Sequence, residues 1–203
     1  MRDEANAMGE FLKRFPQLIG EAVRLLVPGL LLIVLFKLSG HDVLKELIPT
    51  GEYFLAWALV LVVGAGIVVY TVHRYVVHFL VEIALTRKGV TPIAQIQRNF
   101  AGLTIAAARG RFLRLRWGER FMNERLSEQL LNTWAYNHLL WMVGELFVGV
   151  SVVVCVTSRA ILSWWLVAFV AGLLIMSFGL AQSWQLFGAE SEIWRETRGG
   201  NQD

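Results

Sequence analysis

The sequence lacks paired cysteines and the common enzyme motifs. Its 203 residues include one cysteine, Cys155, so an intrachain disulfide is excluded. No Cys-x-x-Cys, His-Glu-x-x-His, Gly-x-Ser-x-Gly or P-loop pattern occurs, which removes the usual indications of metal, nucleophile or phosphate chemistry. We accordingly expect no cofactor and no bound metal.

Charge is also absent from two long segments. Residues 53–72 and 160–189 contain no charged side chain and are mostly apolar. The whole chain is 56% hydrophobic, with a mean hydropathy of +0.52. Apolar runs of about 18 residues or more are typical of transmembrane helices. The sequence therefore predicts an integral membrane protein.

We predict an all-α fold with four transmembrane helices plus cytoplasmic amphipathic helices. The spans are expected at residues 22–38, 54–74, 136–157 and 160–182. The first span is the weakest, because only twelve uncharged residues separate Arg24 from Lys37 and Pro28 is expected to kink the helix. A re-entrant hairpin is the alternative for this segment.

The chain then divides into five segments. They are an interfacial amphipathic helix (1–21), a transmembrane hairpin of spans one and two (22–86), a cytoplasmic basic helical loop (87–133), a hairpin of spans three and four (134–187) and a cytoplasmic tail (188–203). Within the loop, Thr91 is expected to cap a helix that ends at Gly110. A second helix is expected to run from about Glu119 straight into span three.

Basic residues set the predicted orientation. Nine lysines and arginines lie between residues 87 and 133, whereas the two short loops of the opposite side hold only Lys45 and Arg159. Loops rich in lysine and arginine stay in the cytoplasm. We therefore predict a multi-pass protein of a bacterial-type inner (plasma) membrane with both termini cytoplasmic.

Polar side chains gather where span two ends. Twenty residues from Tyr53 onward make about 30 Å of helix, so His73 and its successors are expected at or beyond the interface. Arg74, His78 and Glu82 then share one face, either as a solvated stripe that pairs with itself or as the lining of a cavity. Because His73 and His78 are five residues apart, they are expected to point about 140° apart and cannot chelate one ion.

Glu145 lies inside span three, fourteen residues from Arg159, which is about 21 Å of helix. A carboxylate at this depth is costly, so it is expected to face a partner, a cavity or a subunit interface. Arg74 is the nearest candidate partner, and a pore lining or proton transfer are the alternatives. The residues predicted at a buried polar site, pore or subunit interface are Glu145, Arg74, His78, His138 and Gln182.

The segment RGRFLRLRWGER, residues 109–120, is the strongest electrostatic feature. Its five arginines in twelve residues favour contact with anionic lipid headgroups or with an acidic partner protein. Nucleic acid is not expected, since no recognised nucleic-acid-binding fold accompanies the charge. The residues predicted to dock lipid or partner are Arg109, Arg111, Arg114, Arg116, Arg120 and Trp117. Four glycines in spans two and four are predicted to serve close helix packing: Gly64, Gly66, Gly172 and Gly179.

These features favour a non-enzymatic, homo-oligomeric membrane subunit, a scaffold, sensor or channel that recruits a cytoplasmic protein partner. In length and topology the chain is similar to small four-span proteins of bacterial antiphage defence, such as the membrane component of Kiwa-type systems, and of secretion or conjugation complexes. The alternative is a membrane enzyme or a haem or electron carrier that uses His78, His138 and Glu145.

The four-span topology can be tested with a reporter that matures only in the cytoplasm. A fusion after Asp203 is expected to give signal, whereas an insertion within residues 41–50 is expected to be silent. The reverse pattern would contradict the orientation. Signal from both positions would make the first span re-entrant.

Overall fold

The computed structural model describes residues 20, 22–39, 53–100, 102–118, 124–158 and 163–199. Of the amphipathic helix predicted for residues 1–21, only Gly20 belongs to the described residues. Arg120 and residues 159–162 also lie outside the described set.

Seven α-helices lie among the described residues. They are α1 (residues 22–38), α2 (Phe54–Val72), α3 (His78–Arg87), α4 (Pro92–Asn99), α5 (Ile105–Gly118), α6 (Glu124–Ser158) and α7 (Ser163–Gly199). A single π-turn, His73–Val77, connects α2 to α3 without a break in the helix.

Three helical stretches among the described residues are long and apolar enough to cross a membrane: Phe54–Arg87, Gln129–Thr157 and Trp164–Arg195. Only 11% of the most apolar part of Phe54–Arg87 is buried within the chain. Leu55, for example, is 79% exposed. Apolar surface on this scale is unfavourable in water and favourable in lipid. The three helices indicate a membrane-embedded protein, and a crossing by α1 stays a prediction.

The chain forms two compact units. Unit 1 comprises Met1–Val72 and Met142–Leu174, as far as they are described, and unit 2 comprises His73–Trp141 and Ile175–Asp203 with the same restriction. The boundaries fall inside the long helices α6 and α7 and at the π-turn. The boundaries of the two units therefore do not coincide with those of the five segments predicted from membrane topology.

Glycine sets the contact between α1 and α2 in unit 1. A Cβ atom on Gly29 would overlap the carbonyl oxygen of Val62, and one on Gly66 would overlap the carbonyl oxygen of Leu25. Small residues permit this close approach of helix backbones in membranes. Gly64, by contrast, has no heavy atom of another element within 4 Å of such a Cβ. The two glycines of α2 therefore have different roles.

The glycines of α7 also lie at contacts. In unit 1, a Cβ on Gly172 would lie 2.8 Å from the carbonyl oxygen of Gly144 and 2.9 Å from the Cβ of Phe147. In unit 2, a Cβ on Gly179 would lie 2.9 Å from the indole ring of Trp141. Larger residues at either position would push α6 and α7 apart.

The helix predicted from Thr91 to Gly110 is two helices. Thr91 caps α4 as predicted, but α4 ends at Asn99. Gly102 has a φ of +91°, a left-handed conformation that glycine adopts readily and that a continuous helix cannot contain. Thr104 then accepts a hydrogen bond from a backbone N–H of the first turn of α5, at 3.2 Å. The prediction of a helix end at Gly110 is wrong, because Gly110 lies inside α5.

The continuous helix predicted to enter span three is confirmed over its described part, since α6 runs unbroken for 35 residues. The helix of the second span extends beyond residue 74, where the span was expected to end, through the π-turn into α3. α7 extends to Gly199, beyond residue 182 where span four was expected to end.

Two hydrophobic clusters stabilise unit 2. The first joins α4 and α5 to the end of α7 through Ile93, Ile96, Ala108, Phe112 and Trp194. The second joins α3, α6 and α7 through Leu85, Leu130, Trp134 and Phe187. Every described helix of unit 2 therefore contributes to an apolar core.

Replacing Gly66 with leucine is expected to destabilise unit 1, because the new side chain meets the backbone of α1. Overpacking of this kind costs about 1–3 kcal/mol. The measurement is thermal unfolding in detergent, with Gly64→Leu as the matched control. Equal loss of stability in both variants would contradict the α1–α2 contact.

Candidate functional site

The π-turn brings together side chains that an α-helix would keep apart. A π-turn contains one more residue than an α-helical turn, so positions five apart come close to alignment. The rings of His73 and His78 have centroids 6.3 Å apart. The prediction that they diverge by about 140° is wrong, because it assumed α-helical geometry throughout. No residue in the segment signals this irregularity.

A third histidine completes the cluster from α6. The Nδ1 atom of His138 lies 2.8 Å from Nε2 of His73. The ring of His138 also meets that of His78 edge to face, with centroids 4.6 Å apart. His73 is 1% exposed and His138 7% exposed. We call these three residues the histidine cluster.

Arg74, on the π-turn, contacts His138 of this cluster. Its Nη1 atom lies 3.3 Å from Nε2 of His138. The expectation of a solvated, self-paired stripe is wrong, because Glu82 is 6% exposed and bonds to a distant arginine. Glu145 is half-buried in the part of α6 that belongs to unit 1, and its pairing with Arg74 stays a prediction.

Aromatic rings enclose the histidine cluster. Trp134 is stacked with His138 at 5.6 Å between centroids, and Phe187 from α7 is stacked with His78 at 6.3 Å. Trp141 lies 6.5 Å from His73. Large apolar rings exclude water, so the polar contacts among the histidines lie in a medium of low polarity.

Hydrogen bonds link α6 to α7 beside the cluster. Asn137, fully buried, donates to the hydroxyl of Ser183 at 2.8 Å, and the indole N–H of Trp141 donates to the same hydroxyl at 3.3 Å. Trp134 donates to a carboxylate oxygen of Glu190, which is also fully buried, at 3.0 Å. Asn137, Ser183 and Glu190 were not among the predicted site residues.

Gln182 was predicted at a buried polar site and is half-buried next to this network. Its side-chain oxygen has no hydrogen-bond partner among the described residues. The neighbouring Ser183 makes the contacts to α6 instead.

An ion pair connects α3 to α5. The Nε atom of Arg109 lies 2.9 Å from both carboxylate oxygens of Glu82, and its guanidinium lies 5.6 Å from the ring centroid of Phe79. Arg109 was predicted to dock lipid or a partner, but the structure shows it engaged inside unit 2. The two residues are 27 positions apart, so helical spacing gave no sign of the pair.

The other predicted docking residues fall into two groups. The guanidinium of Arg111 lies 3.7 Å above the ring centroid of Phe100. The side chains of Arg114, Arg116 and Trp117 lie outside the described set, as does the whole of Arg120. Docking of lipid or partner through this segment stays a prediction.

The positions of the histidines and carboxylates can be compared with what a metal ion or a haem requires. Within the described part of the chain, no group of three or more His, Cys, Asp or Glu side chains is arranged to hold a metal ion. A haem between His78 and His138 would require their nitrogens to face each other across the iron, whereas the rings meet edge to face. Both nitrogens of His138 also have contacts that would have to break first. A haem or electron carrier stays the alternative prediction.

Unit 2 also contains an open cleft of about 950 Å³ between α4 and the end of α7. Its charged and amide-bearing rim includes Arg98, Asn99, Glu192 and Arg195, all of which are exposed. The hydroxyl of Ser191 closes one wall by donating to the carbonyl of Val90 at 2.6 Å. Because it contains two arginines and one glutamate, the rim carries a net positive charge.

No family model, curated protein or solved structure matches the chain. The function must therefore be inferred from the residues of this chain.

Arg109→Gln is expected to destabilise unit 2, because it leaves the buried carboxylate of Glu82 without its cation. Hydrogen bonds to charged groups contribute about 1.5–3 kcal/mol, and the partial exposure of Arg109 places the effect towards the lower end. Arg111→Gln is the matched control, since it removes only a contact with Phe100 worth about 0.5–1 kcal/mol. Chemical denaturation in detergent measures both. A larger loss for Arg111→Gln would contradict a structural role for Arg109.

Proposed function

We propose that this chain is a non-enzymatic subunit of a bacterial-type inner membrane that carries a folded helical unit on the cytoplasmic side and recruits a partner protein there. In this proposal α1 supplies a fourth span, both termini are cytoplasmic and several copies assemble. The observation that carries the proposal is that the apolar helices continue directly into unit 2.

Helix length supports this arrangement. α6 has 35 residues and α7 has 37, which correspond to about 52 and 55 Å. The hydrocarbon core of a bilayer is about 30 Å thick, so roughly 20 Å of each helix would extend beyond it. The parts of α6 and α7 that belong to unit 2, residues 124–141 and 175–199, are about 27 and 37 Å long, so unit 2 includes this extra length.

Charge supports the cytoplasmic side for unit 2. The turn after α3 and helices α4 and α5 carry Lys88, Arg98, Arg109 and Arg111, and all four belong to unit 2. Clusters of lysine and arginine next to a span favour the cytoplasmic face. A folded unit on that face is suited to hold a docking surface close to the membrane.

The cleft supports a partner of acidic character. Arg98 on α4 and Arg195 on α7 both reach its rim and are exposed to solvent. A net positive rim attracts an acidic partner, and this attraction weakens as salt is added. An acidic segment of a cytoplasmic protein fits this rim.

Site-specific photocrosslinking in the native membrane tests the proposal. A photoreactive residue at Asn99 is expected to give one discrete protein adduct, whereas the same residue at Leu59, 57% exposed on the apolar surface of α2, is expected to give lipid adducts. Arg98→Glu should reduce the Asn99 adduct about tenfold, which is the effect of about 1.4 kcal/mol. Lys37→Glu, which makes the same charge change at an exposed position of unit 1, should leave it unchanged.

Two results would overturn the proposal. Lipid adducts alone at Asn99 would place the cleft in the bilayer and not in the cytoplasm. A haem absorbance band in the purified protein would favour the electron carrier over the recruiting subunit.

A further inference from the structure

The hydrogen-bond chain from Arg74 to His73 has a fixed direction. A guanidinium only donates hydrogen bonds, so Nε2 of His138, 3.3 Å from Nη1 of Arg74, must accept. A neutral imidazole carries one proton, which therefore lies on Nδ1 of His138. That Nδ1–H lies 2.8 Å from Nε2 of His73 and donates to it. The donors and acceptors of the chain are thus assigned in sequence.

An added proton must break one link of this chain. On His138 the proton would occupy Nε2 and face the N–H of Arg74, so two positively charged donors would oppose each other. On His73 it would occupy Nε2 and face the Nδ1–H of His138. Either event converts a hydrogen bond between the π-turn and α6 into a donor–donor contact.

Charged and titratable groups approach the chain from each element packed against it. Arg74 on the π-turn opposes a second positive charge beside His138. α3 supplies His78, whose ring centroid is 4.6 Å from that of His138. α7 supplies the carboxylate of Glu190, bonded to the indole of Trp134 that is stacked with His138. Arg74 therefore brings a positive charge to this chain, and Glu190 brings a carboxylate to the tryptophan that is stacked with His138.

We infer that the histidine cluster with Arg74 is a proton-binding site whose occupation separates the π-turn from α6. The inference rests on the contacts among these residues and goes beyond partner recruitment. Its ligand is the proton itself, and its output is a change in the contact that holds two long helices together.

Ring nitrogen resonances test the tautomers directly. The chain has four histidines, so His41→Gln in ¹⁵N-histidine-labelled protein in lipid nanodiscs leaves only the three of the cluster. At pH 8 His138 is expected as the Nδ1–H tautomer, with the assignment made from His138→Gln. Between pH 8 and pH 4.5 one of His73 and His138 should become doubly protonated. The Nε2–H tautomer of His138, or a cluster that takes up no proton, would overturn the inference.

A distance measurement tests the separation. Spin labels at Tyr75 on the π-turn and Tyr136 on α6, 75% and 70% exposed, are introduced in a Cys155→Ser background. The distance distribution is expected to shift to longer values on acidification. Arg74→Gln should abolish the shift, because the amide oxygen of glutamine can accept from an Nε2–H of His138. His138 can then keep its hydrogen bond to His73 whether the added proton is on His138 or on His73. Arg87→Gln, which changes an exposed arginine outside the cluster, should retain it.

Each outcome has a definite meaning. The absence of a shift in the unsubstituted chain, or an equal shift in Arg74→Gln, would overturn the inference. The conservative change at Arg74 keeps the histidines in place, so the test does not depend on whether His138→Gln folds.

Discussion

The single extra residue of the π-turn determines which side chains of unit 2 meet. In a regular α-helix, residues five apart differ by about 140° in direction, so His73 and His78 could not both lie near His138. With the turn present, their rings lie 6.3 Å apart and both contact α6. The turn also sets the direction of all of α3, and therefore the side from which Glu82 meets Arg109. A π-turn is less favourable than an α-helical turn, and the hydrogen bond from His138 to His73 offsets part of that cost.

The buried polar residues of α6 and α7 hold these two long helices in one arrangement. Apolar packing alone tolerates sliding of one smooth helix along another, whereas buried hydrogen bonds require particular pairs to meet. Asn137 with Ser183 and Trp134 with Glu190 fix the position of α6 along α7 in unit 2. Burying such groups without partners would cost about 1–3 kcal/mol each. The network therefore contributes more to the uniqueness of the packing than to its total stability.

Local features of the sequence predicted the parts of the fold that depend on local physics. The apolar runs predicted three of the long helices, and Thr91 before Pro92 predicted the start of α4. Two features that were predicted wrongly could have been recognised from the sequence. Gly102 followed by Thr104 has the pattern of a helix end and a new cap. Gly64 and Gly66 are two residues apart, or about 200° around a helix, so one neighbour could not contact both.

The candidate site could not be predicted because it depends on contacts between residues distant in sequence. His73 and His138 are 65 positions apart, and Asn137 and Ser183 are 46 apart. Helical periodicity describes which side chains share a face of one helix, but it does not say which faces meet. The π-turn adds to this difficulty, since its five residues, HRYVV, do not differ in type from a regular helical segment.

Proton binding and the packing of unit 2 are linked through the same turn. If separation from α6 allowed the π-turn to relax to α-helical geometry, α3 would rotate by about 100°, which is one residue of helical turn. The carboxylate of Glu82 would then leave Arg109, and α3 would lose its ion pair with α5. Linkage between two binding events is reciprocal. A partner that binds only the packed form of unit 2 must therefore weaken proton binding at the histidine cluster, and protons must weaken the binding of that partner by the same factor. Recruitment at the cleft and proton binding at the cluster would then be two properties of one equilibrium, although the residues that perform them are different.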